Sequence, residues 1–366
     1  MMKISKIYTY PIKGIREAEL DSVVVTQHGF PYDRRYMLLQ VLEDGSLKNM
    51  AIAAYPAMSR YFPALNLPEN GDVLKGTFTV TYKSLVGNDK RVDIPLKPKT
   101  AGLERVEVMM HRSPTNAYKM PQQYNDFFTS TFGFDCILVY LGSDMRKVLM
   151  STDGNKQASA ATPSSWLSSL SSKATQLVVG GAADQDRRIT FADCAPYLIV
   201  SDKSMDDVHS RMNDGEQYDI VKFRPNIIVT GAAEVWEEDF WAELTINGTT
   251  KIECEHNCAR CRSLNIDFAT GEPGTGEAGS MLKKLATNRR VDPGMKWSPV
   301  FGRYSFLHPG SEGNEIKVGD EVVVSRRNDE RTKFGSSISS KDRACAMKLT
   351  ISQTGKACTH YQSERN

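Results

Sequence analysis

Apolar and polar residues alternate from Lys3 to Tyr10 until Pro11 breaks the run, which is the period-two signature of a strand with one buried face. A β-branched run at Ser22 to Thr26 and an apolar run at Tyr36 to Val41, ahead of an Asp44-Gly45 turn, predict two more strands. Phe78 to Tyr82 and Arg91 to Ile94 follow, separated by Gly87, Asn88 and Asp89. The first 120 residues therefore read as a small β-rich domain. The period then changes. Tyr124, Phe127, Phe128 and Thr131 recur at helical spacing within Gln122 to Phe132, and Gly133 closes the helix. Cys136 to Leu141 reads as a buried strand, and Lys156 to Ala174, rich in Ser, Ala and Thr, as a surface insertion or linker. Residues 121–188 are thus expected to connect two domains.

From residue 189 to 327 strands dominate again. Tyr197 to Ser201 is one, Ser204 to Met212 fits an N-capped helix, and Ile227 to Thr230 is a strand after Pro225. Glu243 to Ile246 and Thr250 to Cys254 flank Asn247-Gly248, the strongest hairpin signal in the chain. Ser263 to Phe268 is a further strand candidate, followed by a Gly-rich turn and a short helix around Gly279 to Ala286. Val300 to Leu307 and Ile316 to Ser325, with a turn at Gly319-Asp320, complete the pattern. Residues 328–366 are polar and weakly periodic, so a disordered tail is expected. The fold class is mainly β with some α (α+β): a β domain packed with a smaller β-rich N-terminal one.

Composition narrows the class without naming a function. Forty per cent hydrophobic and 25% charged residues describe an ordinary globular protein, and a net charge of +2 supplies no field for nucleic acid. No window reaches the roughly 18 apolar residues of a membrane span, and Pro11 interrupts any secretory signal. A cytoplasmic monomer is expected, with mitochondrial association open but no N-terminal anchor seen. Seven cysteines without a signal peptide read as thiols or metal ligands rather than a disulfide framework.

Three of those cysteines fall in Cys254-Glu-His-Asn-Cys258-Ala-Arg-Cys261, with Arg260 and Arg262 beside Cys261 to favour the thiolate. Structural zinc on Cys254, His256, Cys258 and Cys261 is one reading, since Cys and His donors suit tetrahedral zinc. The CxxxCxxC spacing also matches a radical four-iron motif, which belongs near the start of a long α/β barrel and not late in a β-rich region. Neither a zinc nor an iron-sulfur cluster is expected. The third reading makes one cysteine alone the ligand.

The surroundings favour that third reading. Phe223-Arg224-Pro225-Asn226, Trp236-Glu237-Glu238-Asp239, Asn257 to Cys261, Ser298 to Gly302 and Val318-Gly319-Asp320 stand in the order and spacing of a MOSC domain, which the chain resembles. Tyr10 to Gly14 and Tyr32 to Tyr36 resemble the MOSC N-terminal β-barrel domain of the amidoxime-reducing branch. The resemblance implies a β-barrel-like MOSC domain, a molybdenum-molybdopterin cofactor and reduction of small N-hydroxylated compounds, with electrons from a separate b-type cytochrome and an NADH-dependent flavin reductase. It implies Cys261 as the molybdenum ligand and catalytic centre. Arg224 and Asn226 would contact the pterin, Lys13 and Arg34 the cofactor's anionic end, and Asp193 and Arg260 would assist. Relatives often have Ser where this chain has Gly14, and an Arg-Gln pair where it has Ala53-Ala54. That departure motivates an alternative, a non-catalytic carrier of the cofactor or its sulfur.

Overall fold

A computed structural model of the chain describes residues 1–68, 75–148, 187–213, 216–277 and 279–334. Seven strands close into a barrel. In spatial order they are Ile227–Thr230, Tyr197–Ser201, Val300–Leu307, Thr250–Ala259, Trp241–Ile246, Glu321–Arg327 and Met2–Thr9. Met2–Thr9 pairs back onto Ile227–Thr230, with Ile7 opposite Ile227, so the ring has no free edge. One pair is parallel, Tyr197–Ser201 with Ile227–Thr230, and a parallel pair needs a crossover; the helix Ser204–Ser210 lies on it.

The barrel interior is filled by Ile4, Ile7, Tyr197, Ile199, Ile227, Val229, Trp241, Leu244, Ile252 and Leu307. Ile4 and Ile7 could not both face inward on a regular strand, and a bulge between Ile4 and Lys6 corrects the parity. A second apolar layer lies outside the barrel and holds Leu198, Val200, Ile228, Phe223, Phe301, Cys258 and the helix residues Met205, Val208, Met281 and Leu285. Strands such as Tyr197–Ser201 are consequently buried on both faces, which explains their unbroken apolar sequence.

The N-terminal region builds a five-stranded sheet in the order Leu47–Asn49, Tyr36–Val41, Cys136–Tyr140, Ser113–Lys119, Arg105–Met110, and a three-stranded one from Tyr61–Asn66, Thr77–Tyr82 and Lys90–Pro95. Tyr36 and Leu38 enter a core with Tyr61, Phe78 and Phe128, while Met37 and Leu39 pack on the other face with Val139 and Phe191. Gly133 ends the helix Gln122–Phe132 at φ 78°, as its position predicts.

Hydrogen bonding does not divide where the sequence suggests. Met2–Thr9 and Ala18–Leu20 join the C-terminal barrel, and Cys136–Tyr140, expected in the connection, is a central strand of the N-terminal sheet. Ser204 is the first residue of its helix and not its cap; its hydroxyl donates to Glu238 Oε2 at 2.7 Å. The strand expected at Ser263 to Phe268 is instead a 3-10 turn, Arg262–Asn265, and a two-residue bridge. The disorder expected from residue 328 does not hold for its described part: Arg331 Nε reaches Asp239 Oδ2 at 2.7 Å, and Phe334 is buried with its N–H on Asp292. The Ser-rich insertion, Cys345, Cys358 and residues 335–366 lie outside the described residues.

Candidate functional site

The cysteine strand, Thr250–Ala259, is irregular. Its pairing with Val300–Leu307 shifts between Cys254 and His256 and again between Asn257 and Ala259. A one-residue shift exchanges the faces of a strand. Cys254 therefore points into the barrel core and Cys258 into the outer apolar layer. Burial raises the pKa of both thiols. His256 is fully buried, its ring edge-on to Phe334 at 5.3 Å. Among the described residues no three His, Cys, Asp or Glu side chains gather as a metal-binding group. Cys261, past the strand end, is the exposed thiol among the described cysteines, and its Sγ lies 3.2 Å from Ser263 Oγ.

Arg260 braces that strand end. Its Nε and one terminal nitrogen donate to Phe301 O at 2.9 and 2.6 Å, and the other donates to Phe223 O at 2.7 Å. These bonds fix the residue before Cys261 to the residue before Arg224. The rings of Phe223 and Phe301 meet edge to face at 4.2 Å beneath them.

A second group joins chain ends more than 180 residues apart. The Tyr10 ring carries the guanidinium of Arg34 at 4.5 Å and that of Arg224 at 4.4 Å, and its hydroxyl donates to Pro225 O at 3.0 Å. Arg34 and Arg224 both have left-handed φ, 50° and 56°, which non-glycine residues adopt when their surroundings demand it. Buried Asp33 binds Arg34 and accepts from Tyr10 N at 2.9 Å. Arg224 donates to Ile15 O at 2.8 Å. Asn226 Oδ1 accepts from Leu198 N at 3.1 Å and Arg34 at 3.2 Å, while its Nδ2 donates to Tyr8 O and Asp33 Oδ1, both at 3.2 Å. All four positions of its amide are thus engaged within the protein. Its neighbour Arg224 keeps donors to offer.

Lys13 stands at the third corner, its Nζ paired with Asp193 and bonded to Phe191 O at 3.1 Å. Burial lowers the lysine's pKa against the pull of Asp193. Enclosure by the neighbouring loops works to raise the Asp193 carboxyl, but Lys13 and His111 outweigh it and hold it well below the usual carboxylate range. Cys194 and Tyr304 complete the neighbourhood, and burial raises the pKa of both. Sequence reasoning did not single out Cys194, Tyr304 or His111, since no motif spacing links them. Gly14 has φ 92°, and a Cβ there would fall 2.5 Å from Met58 Cε, which favours glycine at this position.

The arrangement is one exposed thiol whose preceding residue, Arg260, is tied to the residue before Arg224, with no three protein donors gathered as a metal-binding group among the described residues. Such a donor set suits a metal that arrives with most of its ligands on an anionic organic carrier.

The comparisons with known proteins agree on the class. The MOSC domain family model matches residues 186–323, and the MOSC N-terminal beta barrel domain model matches residues 1–135. The chain belongs to the MOSC-domain proteins that also carry this N-terminal domain. Among relatives, it is similar to mitochondrial amidoxime-reducing component 1 of Homo sapiens, 36% identical over 142 residues, 37% of this chain and 39% of that protein. Mitochondrial amidoxime reducing component 2 of Bos taurus is 37% identical over 144 residues, 38% of this chain and 40% of that protein. Molybdenum cofactor sulfurase of Oryza sativa subsp. japonica is 23% identical over 336 residues, 88% of this chain and 35% of that protein. The matches thus span about two-fifths or less of the length of these relatives. Among the described residues no helix is long and apolar enough to cross a membrane.

Proposed function

We propose that the protein is a molybdenum-cofactor oxidoreductase that reduces small N-hydroxylated compounds, amidoximes and hydroxylamines, with electrons from a separate haem cytochrome and flavin reductase. The observation that carries the reading is the exposed Cys261 thiol, braced through Arg260 to the Arg224 segment and set beside a basic group built from both ends of the chain. Names of the relatives support the substrate class. When bound, the cofactor supplies the two-electron redox chemistry.

The chain's own residues then have distinct tasks. Cys261 offers one thiolate to the metal. Arg224 and Lys13 present cationic donors to the anionic part of the carrier, while Arg34, through its bonds to Asp33 and Asn226, keeps a second charge stacked on Tyr10. Asn226 positions Arg34, and Arg260 positions the strand end. Asp193 balances Lys13.

Purified protein from a cofactor-producing host, reduced chemically and given benzamidoxime, tests the reading. Benzamidine formation is expected, and it rejects the carrier alternative that the Ala53-Ala54 departure motivates. Cofactor retained with no turnover would favour the carrier.

A further inference from the structure

The loop that leads into Val300–Leu307 is pinned against the end of the cysteine strand. Ala259 stands opposite Val300, and Arg260 N donates to Pro299 O at 2.8 Å. On its other side Val300 N donates to Arg289 O at 2.9 Å, and Arg289 Nε to Val300 O at 3.3 Å. Asp292 closes the loop: its carboxylate accepts from Gly294 N at 2.7 Å and its carbonyl from Met295 N at 3.0 Å. A turn from Met295 to Ser298, closed by Ser298 N on Met295 O at 3.0 Å, then holds Trp297 out with 67% of its surface exposed. No other Phe, Tyr or Trp among the described residues is so open. Cys261 is one residue, and Trp297 two, from the bonded Arg260–Pro299 pair, so chain connectivity keeps their Cα atoms within about 17 Å of each other.

The charges around this indole are unbalanced. Arg262, Arg290 and Lys296 are exposed, and none of the three is ion-paired among the described residues. Nearby carboxylates are engaged internally: Asp292 by Asn257 and the Phe334 N–H, Asp239 by Arg289 and Arg331, Glu277 by Lys284. Asp267 and Glu272 stand beyond the 3-10 turn, across a two-residue ladder from each other. Residues 260–300 carry seven Lys and Arg against four Asp and Glu, an excess larger than the +2 of the whole chain.

Resting on the function proposed above, the electrons come from another protein, whose redox group has to approach the exposed Cys261. We propose that Trp297, with Arg262, Arg290 and Lys296 around it, is the docking face for that electron donor, and that the donor meets it with an acidic surface. A footprint of about 800 Å² is a disc about 32 Å across, wider than the greatest separation of Cys261 and Trp297, so one partner spans both. Trp and Arg are the residues that anchor interfaces, and cations without internal partners steer an acidic surface toward the thiol. The pinned turn leaves little to be ordered on docking. Closeness to Cys261 favours a donor over a lipid surface, which would cover the mouth by which a small substrate enters. Each encounter oxidises one ferrous haem of the donor to ferric and passes one electron. Two encounters, with two protons from solvent, convert C=N–OH to C=N–H and release water.

Holoprotein tests this with two reductants, benzamidoxime as substrate and rates normalised to bound molybdenum. One reductant is reduced methyl viologen, which needs no docking face; the other is a purified acidic b-type cytochrome kept reduced by NADH and its flavin reductase. Arg262 is left in place because it adjoins Cys261. At about 20 mM salt, Arg290→Glu/Lys296→Glu should lower kcat/KM for the cytochrome by about tenfold or more and Trp297→Ala by about tenfold, with viologen-driven turnover within about twofold of wild type. The wild-type cytochrome rate should fall steeply as salt rises, and that of the double variant should not. Cytochrome rates equal to wild type in both variants overturn the proposal, and an equal loss with both reductants replaces docking by a structural role. Binding to phosphatidylserine vesicles that the double variant loses while its cytochrome rate is unchanged would assign the face to a membrane and likewise overturn it. No wild-type turnover with viologen removes the proposed function and the docking role with it.

Discussion

Replacing Asn226 by alanine separates positioning from direct contact at the site. The amide is 1% exposed and makes four hydrogen bonds, to Leu198 N, Arg34, Tyr8 O and Asp33. Each such bond contributes about 1 kcal/mol net, and leaving the buried Leu198 N–H and Tyr8 carbonyl without partners adds the cost of unsatisfied groups, so the loss should be about 3–5 kcal/mol. For a domain of this size each kcal/mol lowers the melting temperature by roughly 2–4 °C, giving a fall of about 6–20 °C. Thermal unfolding of cofactor-free Asn226→Ala, followed by circular dichroism at pH 7, measures it. Removing cofactor from the experiment is what gives it force, since a mere cofactor contact would leave this melt unchanged. A fall of less than about 3 °C would refute the claim that Asn226 joins the first strand, the Arg34 turn and the barrel.

Three further outcomes follow from buried polar and apolar groups. Glu238 is fully buried, hydrogen-bonded to Ser204, and desolvation pushes its pKa to about 7. Between its unfolded value near 4.5 and about 7 the unfolded chain is ionised while the folded one keeps the proton, so stability should fall as pH rises through that window and level off above it. Glu238→Gln should flatten the dependence and raise stability at pH 8 by up to about 3 kcal/mol, read from urea midpoints at pH 5 and pH 8. Phe334→Ala, which removes a buried ring packed on His256, should cost about 2–4 kcal/mol in the same assay; no change would mean that this part of the chain does not pack. Gly302→Ala should destabilise the barrel, since Gly302 has φ 84° and a Cβ would meet Val200 Cγ1 at 2.7 Å; a melt equal to wild type would contradict the close approach of the two strands.

The local elements were largely legible because their signals are local. Tyr36–Val41, Tyr197–Ser201 and Val300–Leu307 are apolar runs buried on both faces, and Gln122–Phe132 carries helical spacing with a glycine stop. The barrel was expected from the motif resemblance and not from periodicity, since Ile7 meets Ile227 across most of the chain and no periodicity encodes which strand is its neighbour. Ser263 to Phe268 alternates like a strand, yet Leu264 N bonds Cys261 O at 3.3 Å and the segment coils as it leaves the strand end. Motif identity marked Arg224 and Asn226 as a pair but not their division of labour, which depends on whether the side chain's hydrogen-bonding groups are already taken. The three cysteines, close in sequence, are parted by a bulge between Cys254 and His256 that no sequence pattern shows: Cys254 faces the barrel core, Cys258 the outer apolar layer, and Cys261 lies exposed past the strand end.

The central claim is that Cys261 alone among these cysteines holds the metal. Molybdenum and pterin content, measured in wild type, Cys258→Ser and Cys261→Ser proteins made in the same cofactor-producing host, tests it most directly. The account predicts about one molybdenum per chain in wild type and in Cys258→Ser, and loss of most of it in Cys261→Ser with the fold intact by circular dichroism. Full molybdenum in Cys261→Ser, or none in wild type, would contradict it.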